Sequence, residues 1–274
     1  MIMDRNAPIG IFDSGVGGMT VAREVMRQIP DEKIVYFGDT ARVPYGSKSS
    51  STILRYTRQI IKFLMTKNVK AIVVACNTVS ALALEEVKQE IDIPIIGVVK
   101  PGALVACNST RNGKIGVIGT EATIRSDVYS RFIHEINPEL QTVGKACPLF
   151  VPLVEEGLWD DPITEEIARR YLSSMLEEGI DTLIMGCTHY PLIRKLLKRT
   201  VGEGVNLVNP AYETAVQMRR VLEWEDLMRE EHSEKAEDQY EFYVSDFPER
   251  FQNFADSILT FQIHAPSQIN IEEY

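Results

Sequence analysis

Short apolar runs alternate along the first hundred positions with stretches whose apolar residues recur at helical spacing. Ile9 to Phe12, Lys33 to Phe37 and Ala71 to Ala75 read as strands, because a parallel strand buried on both faces shows a near-continuous apolar run. Met19 to Gln28 and Ser51 to Met65 read as the helices between them. The rhythm is that of βαβ units and predicts an α/β fold on mainly parallel sheets.

The rhythm restarts at Lys114 to Ile118 and continues through helices near Ser126 to Glu135 and Thr164 to Glu178, to a strand at Thr182 to Met185. Asn68 to Thr78 can be laid on Gly179 to His189 without a gap, each copy an apolar strand that ends in cysteine and a small polar residue. Ile9 to Ser14 resembles Ile115 to Thr120 in the same way. Buried parallel strands resemble one another by composition alone, so chance competes with duplication; duplication is the reading these matches favour. It predicts two pseudo-symmetric α/β halves with a cleft between them. The first domain is discontinuous, residues 1–98 plus 208–274, and the second is 99–207, with the boundary near Val99 to Pro101 and the chain after Asn206 free to return to the first half. Glu223 to Glu241 is dense in charge and predicts a solvated amphipathic helix.

Composition narrows the function. With 274 residues, 45% of them hydrophobic and 25% charged, the chain has the make-up of a globular protein with one large core or two modest ones. Met1 to Pro8 holds no apolar run fit for a signal peptide, and nothing approaches the ~20 apolar residues needed to span a bilayer. A cytoplasmic protein without a membrane partner is expected. The net charge of −10 repels phosphate backbones and argues against nucleic acid. Four cysteines, Cys76, Cys107, Cys147 and Cys187, lack the pairing or histidine spacing of a zinc site, so free thiols and no metal are expected.

Ligands of open parallel sheets bind beyond the carboxyl ends of the strands, and the polar motifs fall there. Cys76 and Cys187 each follow a strand directly. A lone cysteine in such a place is usually just a small apolar residue, and Cys107 and Cys147 are read so. Two in equivalent positions suit a reaction with mirror-related halves, in which one thiolate removes a proton from one face of a stereocentre and a thiol protonates the other. Such thiols need help with their protonation, and Asp13 and His189 are placed to give it. Ser14 and the loop Gly15-Val-Gly-Gly18 allow close backbone approach to an anion, but the glycine spacing is not that of a dinucleotide fold and no P-loop is present. Pro44-Tyr45-Gly46 reads by itself as a surface turn. No lysine stands in a convincing context for a pyridoxal Schiff base. Two other readings compete: a two-domain protein that closes on an anionic amino acid without turning it over, and a Cys76–Cys187 redox disulfide, which needs Cα atoms within roughly 7 Å and should fail because two-base transfer places a substrate carbon between the thiols.

These segments together resemble the glutamate racemases of the aspartate/glutamate racemase superfamily. The resemblance runs through Ile9 to Gly18, Tyr36 to Gly46, Ala75-Cys-Asn-Thr78, Val151 to Glu155 and Gly186-Cys-Thr-His-Tyr-Pro-Leu192. It implies two α/β domains about a pseudo-twofold axis and interconversion of L- and D-glutamate with no cofactor, supplying D-glutamate for peptidoglycan. It assigns Cys76 as the base toward D-glutamate and Cys187 as the base toward L-glutamate. It also implies that Asp13, Ser14, Tyr45, Gly46, Asn77, Thr78, Thr188 and His189 hold the substrate's amino and carboxylate groups. Thr120 and Thr123 fit a carboxylate-holding position, Glu155 an acidic position that tunes His189, and a homodimer is suggested. The stretch Val208 to Ala215 departs from the family pattern. A sister racemase acting on aspartate is the nearest rival reading.

Overall fold

The computed structural model describes residues 4–230 and 239–274. The first half runs β1 (Ile9–Asp13), α1 (Met19–Gln28), β2 (Ile34–Gly38), α2 (Ser50–Thr66), β3 (Ala71–Val74), α3 (Asn77–Leu82), α4 (Leu84–Val87) and β4 (Ile95–Gly97). Helix α5 (Val99–Ser109) carries the chain across to β5 (Lys114–Gly119), α6 (Glu121–Arg125), α7 (Val128–Ile136), β6 (Gln141–Ala146), α8 (Phe150–Glu155), α9 (Pro162–Glu177), β7 (Thr182–Gly186), α10 (Arg194–Val201) and β8 (Asn206–Val208). Then α11 (Pro210–Trp224) packs on α1 and α5, and β9 (Tyr240–Val244), α12 (Pro248–Ile258) and β10 (Ser267–Gln268) follow, with a last turn of 3-10 helix at Ile271–Glu273.

Two parallel sheets result, ordered β10-β9-β2-β1-β3-β4 and β6-β5-β7-β8. The second repeats the run β2-β1-β3-β4 of the first in order and in register: Ile9 pairs with Ala71 in one, and Ile115 with Thr182 in the other. That is the pairing obtained by laying the two sequence copies on each other. Even the turns before β3 and β7 agree, since Asn68 and Gly179 occupy matched positions and both have φ near the left-handed region, 55° and 77°.

The local reasons are ordinary. In α9, Asp161 accepts the Ile163 N–H at 2.8 Å, Pro162 opens the first turn, and Thr164, Ala168, Leu172 and Met175 bury one face. In α2, Ser49 caps the start and Ile53, Thr57, Ile60 and Leu64 face inward. Strands β1, β2, β3 and β7 are buried along their whole length, as their apolar runs require.

Two expectations change. The chain from 223 to 241 is not one helix over its described part. Helix α11 ends at Trp224, Asp226 turns left-handed at φ 57°, Leu227 is buried, and 240–244 is strand; residues 231–238 lie outside the described ones. Apolar positions inside the charged stretch are drawn into the core and override its amphipathic pattern. Asn206–Val208 belongs to the second sheet as β8, so the return to the first half begins after it. Tyr190 to Ile193 forms a turn of 3-10 helix, and α10 starts after it at Arg194. Among the described residues no helix is long and apolar enough to cross a membrane.

Candidate active site

The carboxyl ends of β1, β3, β5 and β7 converge on one cleft. Asp13 is the last residue of β1 and is fully buried; its Oδ2 accepts the N–H groups of Gly15 at 3.1 Å and Gly18 at 3.0 Å. Its Oδ1 is buried without a hydrogen-bond partner. Burial raises the Asp13 pKa against the opposing charge of His189 and the backbone N–H groups. Tyr36 donates from β2 to the Gly15 carbonyl at 3.0 Å, which fixes the glycine loop from behind.

Cys76 follows β3 as the N-cap of α3 and is 5% exposed. Its thiol donates to Ser14 Oγ at 3.5 Å. Burial and then the nearby Asp13 push its pKa up to about 12, so this sulfur holds its proton at neutral pH. Cys187 follows β7 in the equivalent place and is 6% exposed. The four cysteines are all free thiols, which leaves no Cys76–Cys187 disulfide here. Cys107 sits half-buried in α5, and Cys147 is buried with its thiol directed to the Lys145 carbonyl at 3.6 Å.

The Cys187 side is served by a chain of charges. His189 Nδ1 lies 3.8 Å from the Cys187 sulfur, and Nε2 lies 3.1 Å from Glu155 Oε1 on α8. Burial alone pushes the imidazole pKa down, but hydrogen bonds and charge from Cys187 and Glu155 outweigh it and raise the pKa to about 10. Burial likewise acts to raise Glu155, and His189 with Arg250 overcomes it to leave the acid below its usual range. A buried imidazolium beside a sulfur is a fixed partner for a thiolate.

The remaining sequence candidates gather around this pair, with differences. Thr78, Thr120 and Thr123 form one hydroxyl cluster across the halves, Thr78 to Thr120 and Thr120 to Thr123 both 3.0 Å. Asn77 accepts from Tyr129 at 2.7 Å, and Thr188 accepts through its carbonyl from Thr20 at 2.8 Å. The Gly46 carbonyl receives the Ala122 N–H at 3.1 Å, so that turn touches the opposite half. The turn is not a plain surface one: Tyr45 is buried, and its hydroxyl donates to Asp39, which also accepts from Arg42 and Ser245. Asp39 was missed although it follows a strand as Asp13 ends one; the same rule points to it. Tyr36, Thr20, Tyr129 and Arg250 carry no local signal. Among the described residues no cluster of His, Cys, Asp and Glu is arranged to hold a metal ion.

Two thiols at matched strand ends, each with its own acid or base, are the machinery of an amino-acid racemase. The family model described as Asp/Glu/Hydantoin racemase matches residues 19–218. The glutamate racemase of Geobacter metallireducens is 48% identical, over 96% of this chain and 97% of its own. The structure of glutamate racemase isoform RacE1 from Bacillus anthracis superposes with a TM-score of 0.92 at 37% identity, covering 97% of this chain and 98% of the other. That of the Francisella tularensis glutamate racemase in complex with D-glutamate gives 0.91 at 37% identity, covering 98% and 100%. The chain belongs to the glutamate racemase family and is an isomerase.

Proposed function

We propose that this chain interconverts L- and D-glutamate by passing the α-proton through two thiols, with Cys187 acting on L-glutamate and Cys76 on D-glutamate. The observation that carries the reading is the pairing of Cys76 and Cys187 at equivalent strand ends across one buried cleft. From L-glutamate, the Cys187 thiolate takes the α-proton, and the Cys76 thiol gives its own proton to the opposite face. Cys187 ends as thiol and Cys76 as thiolate, and proton exchange through the His189 and Asp13 sides resets the pair. Asp13 Oδ1, buried and unpartnered, meets the substrate ammonium. Ser14, the Tyr45–Gly46 turn, Asn77, Thr78, Thr120, Thr123, Thr188 and His189 hold the carboxylates and the ammonium, with backbone N–H groups sharing the work. Glu155 tunes His189.

The reading takes the sheets as two domains, 1–98 with 209–274 and 99–208. The family resemblance adds a cytoplasmic location, a homodimer, which light scattering tests, and a supply of D-glutamate to peptidoglycan. The functional test incubates the protein without added cofactor in deuterium oxide, with L- and then D-glutamate, beside Cys76→Ala and Cys187→Ala. Product enantiomer that carries deuterium at the α-carbon, lost in both variants, supports two-thiol transfer. Turnover of aspartate in place of glutamate moves the substrate assignment, and no exchange with either leaves a binding protein.

A further inference from the structure

The two thiols are 5% and 6% exposed, and contacts between uncharged groups close the halves over them: Ala122 to Gly46, Thr78 to Thr120, Thr20 to Thr188. An amino acid reaches the sulfurs only when some of these part. One charged contact also crosses the mouth. Helix α12 belongs to the segment that returns to the first sheet, and α8 follows β6 of the second, yet Arg250 Nη2 on α12 lies 3.2 Å from Glu155 Oε2 on α8. The other oxygen of the same carboxylate is the one that meets His189 at 3.1 Å. Glu155 and Arg250 line both of the grooves beside the glycine loop, one continuing to Trp159 and Phe254, the other to Thr40 and Phe247. The pair is the bar between them.

We infer that Arg250 is a positioning residue, clasping the returning C-terminal helix to the second half across the cleft mouth and holding Glu155 on His189. With Arg250 in place, one carboxylate oxygen is committed to the clasp and the other to the imidazole. When the halves part, the clasp is lost first at the side chain that is 61% exposed, and Glu155 is released from one of its two restraints. Closure and the orientation of the Cys187 side are thereby one event. Because Arg250 is exposed, its worth is that of a partly solvated ion pair, which sets the expected effect at about two- to fivefold.

The catalytic consequence rests on the function proposed above; the clasp itself is read without turnover. The full chain is labelled with iodoacetamide and each cysteine is followed by peptide mass spectrometry, in the original protein and in Arg250→Met and Arg250→Lys. In Arg250→Met, Cys76 and Cys187 should label about two- to fivefold faster while buried Cys147 keeps its rate, and Arg250→Lys should label like the original. High salt should speed labelling of the original protein but not of Arg250→Met. KM for both enantiomers should rise by a similar factor in Arg250→Met, with a smaller change in kcat. Unchanged labelling of Cys76 and Cys187 in Arg250→Met overturns the inference, as does a parallel rise at Cys147, which marks general loosening. A protein that shows the labelling pattern but leaves glutamate unchanged keeps the clasp and loses only the substrate assignment.

Discussion

Gly17 offers the sharpest test of how the site is built. A methyl group there would lie 2.5 Å from His189 Cε1 and Nδ1 and 2.5 Å from Thr188 Oγ1, where ordinary contact begins at 3.4 Å. All three atoms would have to retreat by about 0.9 Å, and none is the free end of a flexible chain. Thr188 is tied at its carbonyl by Thr20, and the imidazole is held at one nitrogen by Glu155 and faces Cys187 with the other. The φ of Gly17 is not in the left-handed region, so the cost of Gly17→Ala is one of space alone. A displacement near 1 Å in a proton-transfer site costs on the order of 100-fold in rate, while overpacking costs about 1–3 kcal/mol in stability. Racemisation followed by circular dichroism should therefore fall about 100-fold in kcat/KM, with Tm lower by several degrees. Gly204→Ala, which adds a methyl to open space, is the control for an added side chain. Gly17→Ala with activity within twofold of the original would refute the claim that the glycine loop is packed against His189.

Three further outcomes follow from the same geometry. Asp13→Asn keeps the shape but removes the charge that helps raise Cys76 and the open oxygen offered to an ammonium; kcat should fall by about 10²- to 10⁴-fold without a lower Tm, since burial already disfavours the carboxylate. The pKa of His189 rises on folding from 6.5 to about 10 and that of Cys76 from 9.0 to about 12. Groups raised on folding stabilise fully below their unfolded values and lose that contribution as pH climbs through the folded ones, so urea unfolding should show falling stability from about pH 6.5 upward, less steeply to pH 10 in His189→Asn. Tyr45→Phe strips a buried hydrogen bond from Asp39 and should cost about 1–3 kcal/mol in denaturant unfolding while raising KM. A variant that matches the original in both would detach Asp39 from the cleft.

The strands that carry the chemistry were legible because burial on both faces forces a continuous apolar run, and because ligands gather at the ends of such strands. Cys76, Cys187, Asp13 and Thr120 all stand at such ends. What escaped notice was short, polar or distant. Strand β6 is an edge strand with no fully buried residue, and β4 and β8 are three residues each, too short for periodicity to declare them. The charged stretch after Trp224 has helical composition, but Leu227 is drawn inward, and Glu32 accepts the Arg229 N–H from nearly two hundred residues away. Thr20 and Arg250 meet the site through partners 168 and 95 residues away. Such contacts are products of the fold and leave no local trace.

The halves share their sheet order and register, yet they do not share their chemistry. Cys76 faces a hydroxyl and a buried carboxylate, whereas Cys187 faces an imidazole backed by a second carboxylate and an arginine. Enantiomers have equal free energy, so the equilibrium constant of a racemase is one, and kcat/KM must be the same in both directions whatever the two sides contain. The asymmetry is confined to how each enantiomer's barrier divides between binding and turnover. Cys76 holds its proton at neutral pH and His189 is charged, a resting arrangement in which Cys76 stands ready as the donor. On the proposed assignment that state serves L-glutamate, and D-glutamate needs the protons exchanged between the sides first. Unequal kcat values with equal kcat/KM are thus the kinetic form that a duplicated fold with unlike ends must take.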